Sequence, residues 1–224
     1  MALKKNDFVE IEFTGRVKDG DIFDSNIKED LKNTDLSNKA KPFIFSLGQG
    51  MFLKGVDDFL IGKEVGKHKL DLTAEDAFGK RDPKFIQRVP MKVFKEQNLN
   101  PIQGFMFNFD GKVGKILAVS GGRVIVDFNN PVAGKDVTYD LNVLRKVEKQ
   151  EEKIKSFIDF LFKQELKFEI KEKKLIIEIE KQMIQFVEMF KDKFKEIFDL
   201  DLEVKESKKI KSDENKEKDH RKSQ

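Results

Sequence analysis

A set of short runs, between residues 13 and 79 of this 224-residue chain, carries the residues whose types and spacing could do chemistry. They are Phe13-Thr14-Gly15, Asp19-Gly20-x-x-Phe23-Asp24-Ser25, Phe43 with Phe45, Phe52-Leu53-x-Gly55-Val56, and Ala77-Phe78-Gly79. Taken alone, they are aromatic residues flanking one short acidic turn. The chemistry open to them is that of an apolar surface beside one carboxylate. A set of ordinary core phenylalanines, with Asp24 as an N-capping or turn residue, would look the same.

Other chemistries find little to work with. The absence of cysteine excludes a disulfide scaffold, a thiolate metal site and a cysteine nucleophile together. The two histidines, His68 and His220, are too far apart in sequence to suggest a Ser-His-Asp triad or a His-rich zinc site. His68 stands between Lys67 and Lys69 on the charged side of an alternating run, the place of a solvated histidine. Gly48-x-Gly50 followed by Gly55 lacks the third-glycine spacing and the βαβ context of a dinucleotide loop. No P-loop, HExxH or EF-hand pattern is present. The net charge of +3 lies entirely in residues 205–224, so residues 1–204 are neutral and lack the basic excess of a nucleic-acid-binding domain. No apolar run approaches the roughly 20 residues of a membrane span, and no apolar signal core follows Met1. The expectation is a soluble, cytoplasmic protein. Charged residues make up 38% of the chain, nearly all the basic ones being Lys, and Lys/Glu enrichment without cysteine is what heat-adapted proteins tend to show; organism-wide codon bias would do the same.

The elements that must position these residues follow from periodicity. Residues 8–17 alternate apolar and polar as a half-buried antiparallel strand, and Lys18-Asp19-Gly20-Asp21 reads as a hairpin turn. Residues 26–42 read as a long flap or loop and 42–47 as a strand. Val56, Phe59 and Leu60 mark a short helix, and residues 67–72 alternate again. From 84 to 130 come four short strand-like runs, at 85–89, 105–109, 112–119 and 123–128, with Asp110-Gly111 and Gly121-Gly122 turns. That spacing predicts a small all-β module inserted in the first domain, whose last strand would be 138–147. Beyond Glu151, Ile154, Phe157, Ile158, Leu161 and Phe162 keep helical spacing. Met183, Phe186, Val187, Phe190, Phe194 and Phe198 do so again, on a second helix. With strands at 167–170, 174–180 and 200–204 the order is α-β-β-α-β. Residues 206–224 should be a disordered charged tail.

The order and spacing of the whole set resemble the FKBP-type peptidyl-prolyl cis-trans isomerases, in their SlyD-like branch and its long archaeal members. The matching motifs are Phe13-Thr14-Gly15, Gly20-x-x-Phe23-Asp24-Ser25, Phe45-x-Leu47-Gly48, Gly55-Val56, Ala77-Phe78-Gly79 and Val89-Pro90. The most specific is the run from Asp127 to Asp136, DFNNPVAGKD, which resembles the point where such chains leave an inserted domain and re-enter the FKBP sheet. The resemblance implies an α+β fold. Residues 1–85 and 131–150 would form an FKBP-like antiparallel sheet wrapping a short helix, and 86–130 an all-β insert-in-flap chaperone domain. Residues 151–205 would be a C-terminal α+β dimerisation domain.

It also implies a prolyl pocket walled by Phe13, Phe23, Phe43, Phe52, Leu53, Val56, Phe78 and Tyr139, with Asp24 at its rim. The insert would hold unfolded chain through Phe94, Leu99, Ile102, Phe105, Met106 and Phe107. Three positions depart from the family pattern: Phe13 and Phe78 stand where tyrosine is usual, removing one hydroxyl that supports the aspartate and one that can bond substrate, and Val56 stands where the small FKBPs commonly have a floor aromatic, as an aliphatic residue does in SlyD-like proteins. The His-rich metal-binding tail of some relatives is absent, and neither metal nor cofactor is expected.

Physics suits such a pocket. Rotation about an X-Pro bond faces a barrier of roughly 18–20 kcal/mol, set by amide resonance. A dry apolar cavity favours the less polar twisted amide over the solvated planar one, with no nucleophile, acid or metal. The expected activity is peptidyl-prolyl isomerisation (EC 5.2.1.8), the partners unfolded or proline-containing polypeptides and a second copy of the chain, with no membrane and no nucleic acid. The alternatives are a holdase with weak isomerase activity, motivated by Phe13 and Phe78, and a ribosome or nucleic-acid adaptor, motivated by the Lys-rich tail and the small-barrel pattern of residues 114–127.

Overall fold

The computed structural model describes residues 2–32, 34, 40–109 and 111–207. The expected tail from position 208 onward, and residues 33 and 35–39 of the expected flap, lie outside the described residues. The fold is mixed α+β and divides into two units, Met1–Val147 and Glu148–Gln224, a little before the expected border at residue 150.

In the first unit β1 (Phe8–Val17), β2 (Ile22–Ser25), β3 (Phe43–Ser46), β4 (Gly66–Leu72) and β9 (Val137–Lys146) form one antiparallel sheet. β9 runs along one edge of β1 and pairs with β4 beyond it; the other edge of β1 is shared by β3 and then β2. Period-two alternation decides the faces. Val137, Tyr139, Leu141 and Val143 are buried, while Thr138, Asp140 and Asn142 lie on the opposite face. A four-residue helix, α1 (Lys28–Leu31), follows β2, inside the stretch expected to be flap or loop. The longer helix α2 (Lys54–Leu60) buries Val56 and Leu60. It packs close to β4 because Gly55 has no side chain: a Cβ there would lie 2.8 Å from the Leu72 side chain.

Between β4 and β9 the chain builds a second sheet, in the order β5 (Ile86–Pro90), β8 (Arg123–Asp127), β7 (Lys112–Ser120), β6 (Met106–Phe109). This stretch is not all-β, because α3 (Met91–Glu96) follows Pro90. Two turns of helix are too short to display a 3.6-residue period among strand-like neighbours. Phe94 on that helix is fully buried against Ile116, Val124 and Val126, with Leu99, Phe107, Phe109 and Phe128 packed around them.

The two crossings into this sheet are stitched together. Arg81 pairs with the buried Asp127 carboxylate. Asn129 accepts the Asp82 N–H at 2.9 Å and donates to the Asp82 carbonyl at 3.0 Å and to Asp127 at 2.7 Å. Those contacts give the DFNNPVAGKD run its physical content.

The second unit opens with α4 (Gln150–Phe162), then β10 (Lys167–Lys171) and β11 (Lys174–Ile179) as a hairpin. The expected second helix is two helices, α5 (Ile184–Glu188) and α6 (Lys191–Phe198), broken at Met189-Phe190. Residues four apart advance about 40° around a helix, so Phe186 and Phe198 on one straight helix would diverge by about 120°. The break lets Phe186 and Phe190 meet Phe162 at 6.0 and 5.5 Å, and Phe194 and Phe198 meet Phe157 at 5.3 and 5.6 Å. Most of the apolar stripe is thus covered by α4 within the unit, while Phe186, with Met189 at the break, stays more than a third exposed. β12 (Asp201–Glu206) returns parallel to β11, the arrangement a helical crossover allows.

Candidate active site

Seven aromatic rings from six separate segments meet in the first unit. Phe52, just before α2, is their hub: its ring centroid lies 4.8 Å from Phe13 on β1, 5.7 and 5.4 Å from Phe43 and Phe45 on β3, and 5.8 Å from Tyr139 on β9. Tyr139 meets Phe23 of β2 edge-on at 5.7 Å, and Phe23 meets Phe78 edge-on at 5.4 Å. Edge-to-face contacts are the favoured geometry of packed aromatic pairs.

The sheet register explains how the rings converge. Gly15 pairs with Asp24 on one side and Tyr139 on the other, which sets these three positions abreast on one face. Arg16 pairs with Ile22, so Phe23 is the extra residue of a bulge, a device that re-aims a side chain. Its ring lands over Gly15, where a Cβ would sit 2.7 Å from Phe23 and 2.9 Å from Tyr139. The glycine leaves room for the two rings to touch.

Tyr139 is the chain's single tyrosine and is almost fully buried. Burial, and secondarily the Asp24 carboxylate, push its hydroxyl pKa well above the usual phenol value. It therefore stays protonated throughout the physiological range and supplies a hydroxyl donor among rings that otherwise have none. Asp24 itself is half-buried at the edge of the cluster.

Behind the rings lies a polar frame. Thr14 and Ser25 are both buried with their hydroxyl oxygens 3.1 Å apart, and Ser25 Oγ donates to the Phe13 carbonyl at 3.1 Å. Thr14 also donates to Asp30, which Arg16 approaches at 3.7 Å. On α2 the Asp57 carboxyl is buried facing the backbone amides of Gly48 and Gly50, in the loop leading to Phe52. Desolvation raises its pKa to about 6, against the lowering effect of those two amides.

The structure thus brings together the expected Phe13, Phe23, Phe43, Phe52, Phe78 and Tyr139 and adds Phe45, with Asp24 beside them. Leu53 occupies the position just before α2, making no side-chain capping bond, and Val56 is buried in the first turn. The polar frame goes beyond what sequence reasoning finds. Ser25 lies within the Phe23-Asp24-Ser25 motif, but nothing local in sequence marks Asn26, Asp30 or Asp57. A groove of about 560 Å³, lined by Glu12, Lys67, Lys69, Asp140 and Asn142 among others, lies on the opposite face of the sheet.

Of the six expected insert residues, Ile102, Phe105 and Met106 are exposed. Phe94 is not a surface residue at all: with 0% exposure it is the centre of the insert core. Leu99 and Phe107 pack on that core and are only partly accessible.

The site is thus a cluster of aromatic rings on a bulged antiparallel sheet, with one carboxylate beside it. Comparison with known proteins gives the family. The model described as FKBP-type peptidyl-prolyl cis-trans isomerase matches residues 1–95, and that described as FKBP26, IF domain, matches residues 87–132. A short-type peptidyl-prolyl cis-trans isomerase of Methanocaldococcus jannaschii is 30% identical over 145 residues, 63% of this chain and 92% of its own. An FKBP-type 16 kDa isomerase of Escherichia coli is 30% identical over 148 residues, covering 64% and 93%. The E. coli isomerase SlyD is 29% identical over 160 residues, covering 69% and 75%. The chain belongs to the FKBP-type peptidyl-prolyl cis-trans isomerase family.

Proposed function

We propose that this protein catalyses rotation about X-Pro bonds of unfolded polypeptide in the ring cluster around Phe52 and Tyr139, as a SlyD-like folding enzyme whose inserted sheet holds the chain. The observation that carries this reading is the convergence of Phe13, Phe23, Phe52, Phe78 and Tyr139 beside Asp24. The rings exclude water from the prolyl amide, so the planar, charge-separated ground state loses solvation that the twisted state does not need. With phenylalanine at positions 13 and 78, hydrogen bonding to the substrate falls to the Tyr139 hydroxyl, which Asp24 helps keep protonated.

The insert contributes a different surface. Ile86, Ile102, Phe105, Met106 and Val113 are each more than a third exposed, an amount of apolar surface that marks a binding face when contiguous. A client held there would be presented to the pocket at raised local concentration. A second copy of the chain is the partner we assign to the C-terminal unit, where Met189 is 78% and Phe186 42% exposed.

The test is a proline-peptide isomerisation assay on the full chain and on Asp24→Ala. The expected result is measurable catalysis that drops at least about tenfold in the folded variant, the scale of a lost electrostatic contact in a dry site. A chain that suppresses aggregation without accelerating the peptide would be a holdase only.

A further inference from the structure

β1 changes partner along one edge, and the change leaves a gap. Phe8 to Ile11 pair with β3 and Thr14 to Arg16 with β2, so among the described residues no strand lies alongside that edge at Glu12 and Phe13. Backbone groups facing such a gap need other partners. The Asn26 side chain fills it. Its Oδ1 accepts the Phe13 N–H at 2.7 Å, and its Nδ2 donates to the carbonyls of Ile11 at 2.9 Å and Lys41 at 3.1 Å. Its own backbone N–H donates to the Phe13 carbonyl at 3.2 Å. Both amide protons are used. A reversed amide would set an oxygen against two carbonyls, so the network itself fixes the orientation.

We infer that Asn26 is a positioning residue for the prolyl pocket, one side chain that holds three wall-bearing segments in register; the inference rests on the isomerase reading above. Phe13 is bonded through both of its own backbone groups. Phe23 and Asp24 sit just upstream of Asn26 on β2, and Phe43 starts β3 two residues beyond Lys41. The rings of Phe13 and Phe43 reach each other only through Phe52, so their spacing depends on backbone that this amide ties together. No other side chain substitutes for it. Aspartate keeps the acceptor and loses both donors, serine cannot span two carbonyls, and glutamine is one methylene too long for the gap.

Proline-peptide kinetics on the full chain, well below each variant's melting temperature, separate positioning from mere stability. Asn26→Ala and the near-isosteric Asn26→Asp should each lower kcat by about tenfold or more, as sub-ångström misplacement of a catalytic wall does. KM should move much less, because the apolar surface that binds peptide remains. Leu3→Ala, a core truncation outside the ring cluster, provides the control: it should lower the melting temperature and leave kcat unchanged. In the unmutated chain, NMR should show the Asn26 side-chain amide protected from exchange and shifted when proline peptide saturates the pocket. A folded Asn26 variant with the original kcat, or a loss no greater than that of Leu3→Ala, overturns the inference, as does a fast-exchanging Asn26 amide in the unmutated protein. An unmutated chain with no isomerase activity overturns the isomerase reading instead.

Discussion

The ring cluster around Phe52, which we propose as the prolyl pocket, and the inserted sheet use the same residue type in opposite ways. In the pocket, phenylalanines from separate elements turn inward onto Phe52 and Tyr139, and Thr14, Ser25 and Asn26 hold the backbone beneath them. In the insert, Phe94 is the one phenylalanine fully buried at the centre, and Phe105 on the rim is 58% exposed. The first arrangement suits one geometry, that of an amide passing through its twisted state. The second suits any apolar segment, since exposed rings on a sheet ask only for area. Fixing a transition state requires convergent, bonded walls, whereas holding a client requires accessible ones.

The sharpest way to break the contrast is to fill the one space in the pocket that depends on a missing side chain. Gly15→Ala would place a Cβ 2.7 Å from Phe23 and 2.9 Å from Tyr139, inside normal contact distance of both rings. Both sit on backbone with little freedom to yield, so they must separate. Isomerase activity should fall on the order of a hundredfold, the effect of roughly 1 Å of misplacement at a reacting centre. Suppression of aggregation should be unchanged. Equal losses in the two assays would show that the two regions are not separable.

The converse substitution acts on the insert. Ile102→Ser with Phe105→Ser removes two of its most exposed apolar side chains, at 47% and 58% exposure, while leaving the Phe94 core intact. Aggregation suppression by the full chain should weaken severalfold, in proportion to the apolar area removed. Turnover of a short proline peptide, which needs only the pocket, should stay the same. If holding is unaffected, the client surface lies on other residues.

Much of this contrast is legible in the order of the amino acids. The strands of the first sheet announce themselves by alternation, and the pocket rings fall on motifs short enough to be read locally, such as Phe23-Asp24-Ser25. What cannot be read that way depends on partners distant in sequence. Asn26 shows its importance only when Ile11 and Lys41 are brought beside it, and Asp57 only when Gly48 and Gly50 fold over it. Phe94 resembles a client contact because a two-turn helix hides its period among strands. The phenylalanines between Phe186 and Phe198 resemble one helical face, since a pattern can show spacing and cannot show the break that resets it.

The smallest expected effect concerns the buried acids, and it distinguishes the two regions by pH. Asp127, at the root of the insert, is satisfied by Arg81 and Asn129. Asp57, behind the pocket, has one buried carboxylate oxygen without a hydrogen-bond partner. Burial raises its pKa from 3.8 to about 6, so the folded state holds the proton more tightly than the unfolded chain does. Linkage then fixes the sign: the stability that Asp57 contributes is fully present below about pH 4, declines as pH rises toward 6, and is constant above that. Asp57→Asn cannot ionise and lacks this decline. Its melting temperature relative to the unmutated protein should rise by a few degrees between pH 4 and pH 7, given roughly 2–4 °C per kcal/mol for a chain of this size. Comparing the two proteins at each pH cancels the titration of all other carboxylates, so thermal melts at pH 4, 5, 6 and 7 suffice. Parallel curves would mean that Asp57 is ionised in the fold, its charge held by the Gly48 and Gly50 amides. The loop carrying Phe52 would then be anchored by a carboxylate rather than by a neutral acid.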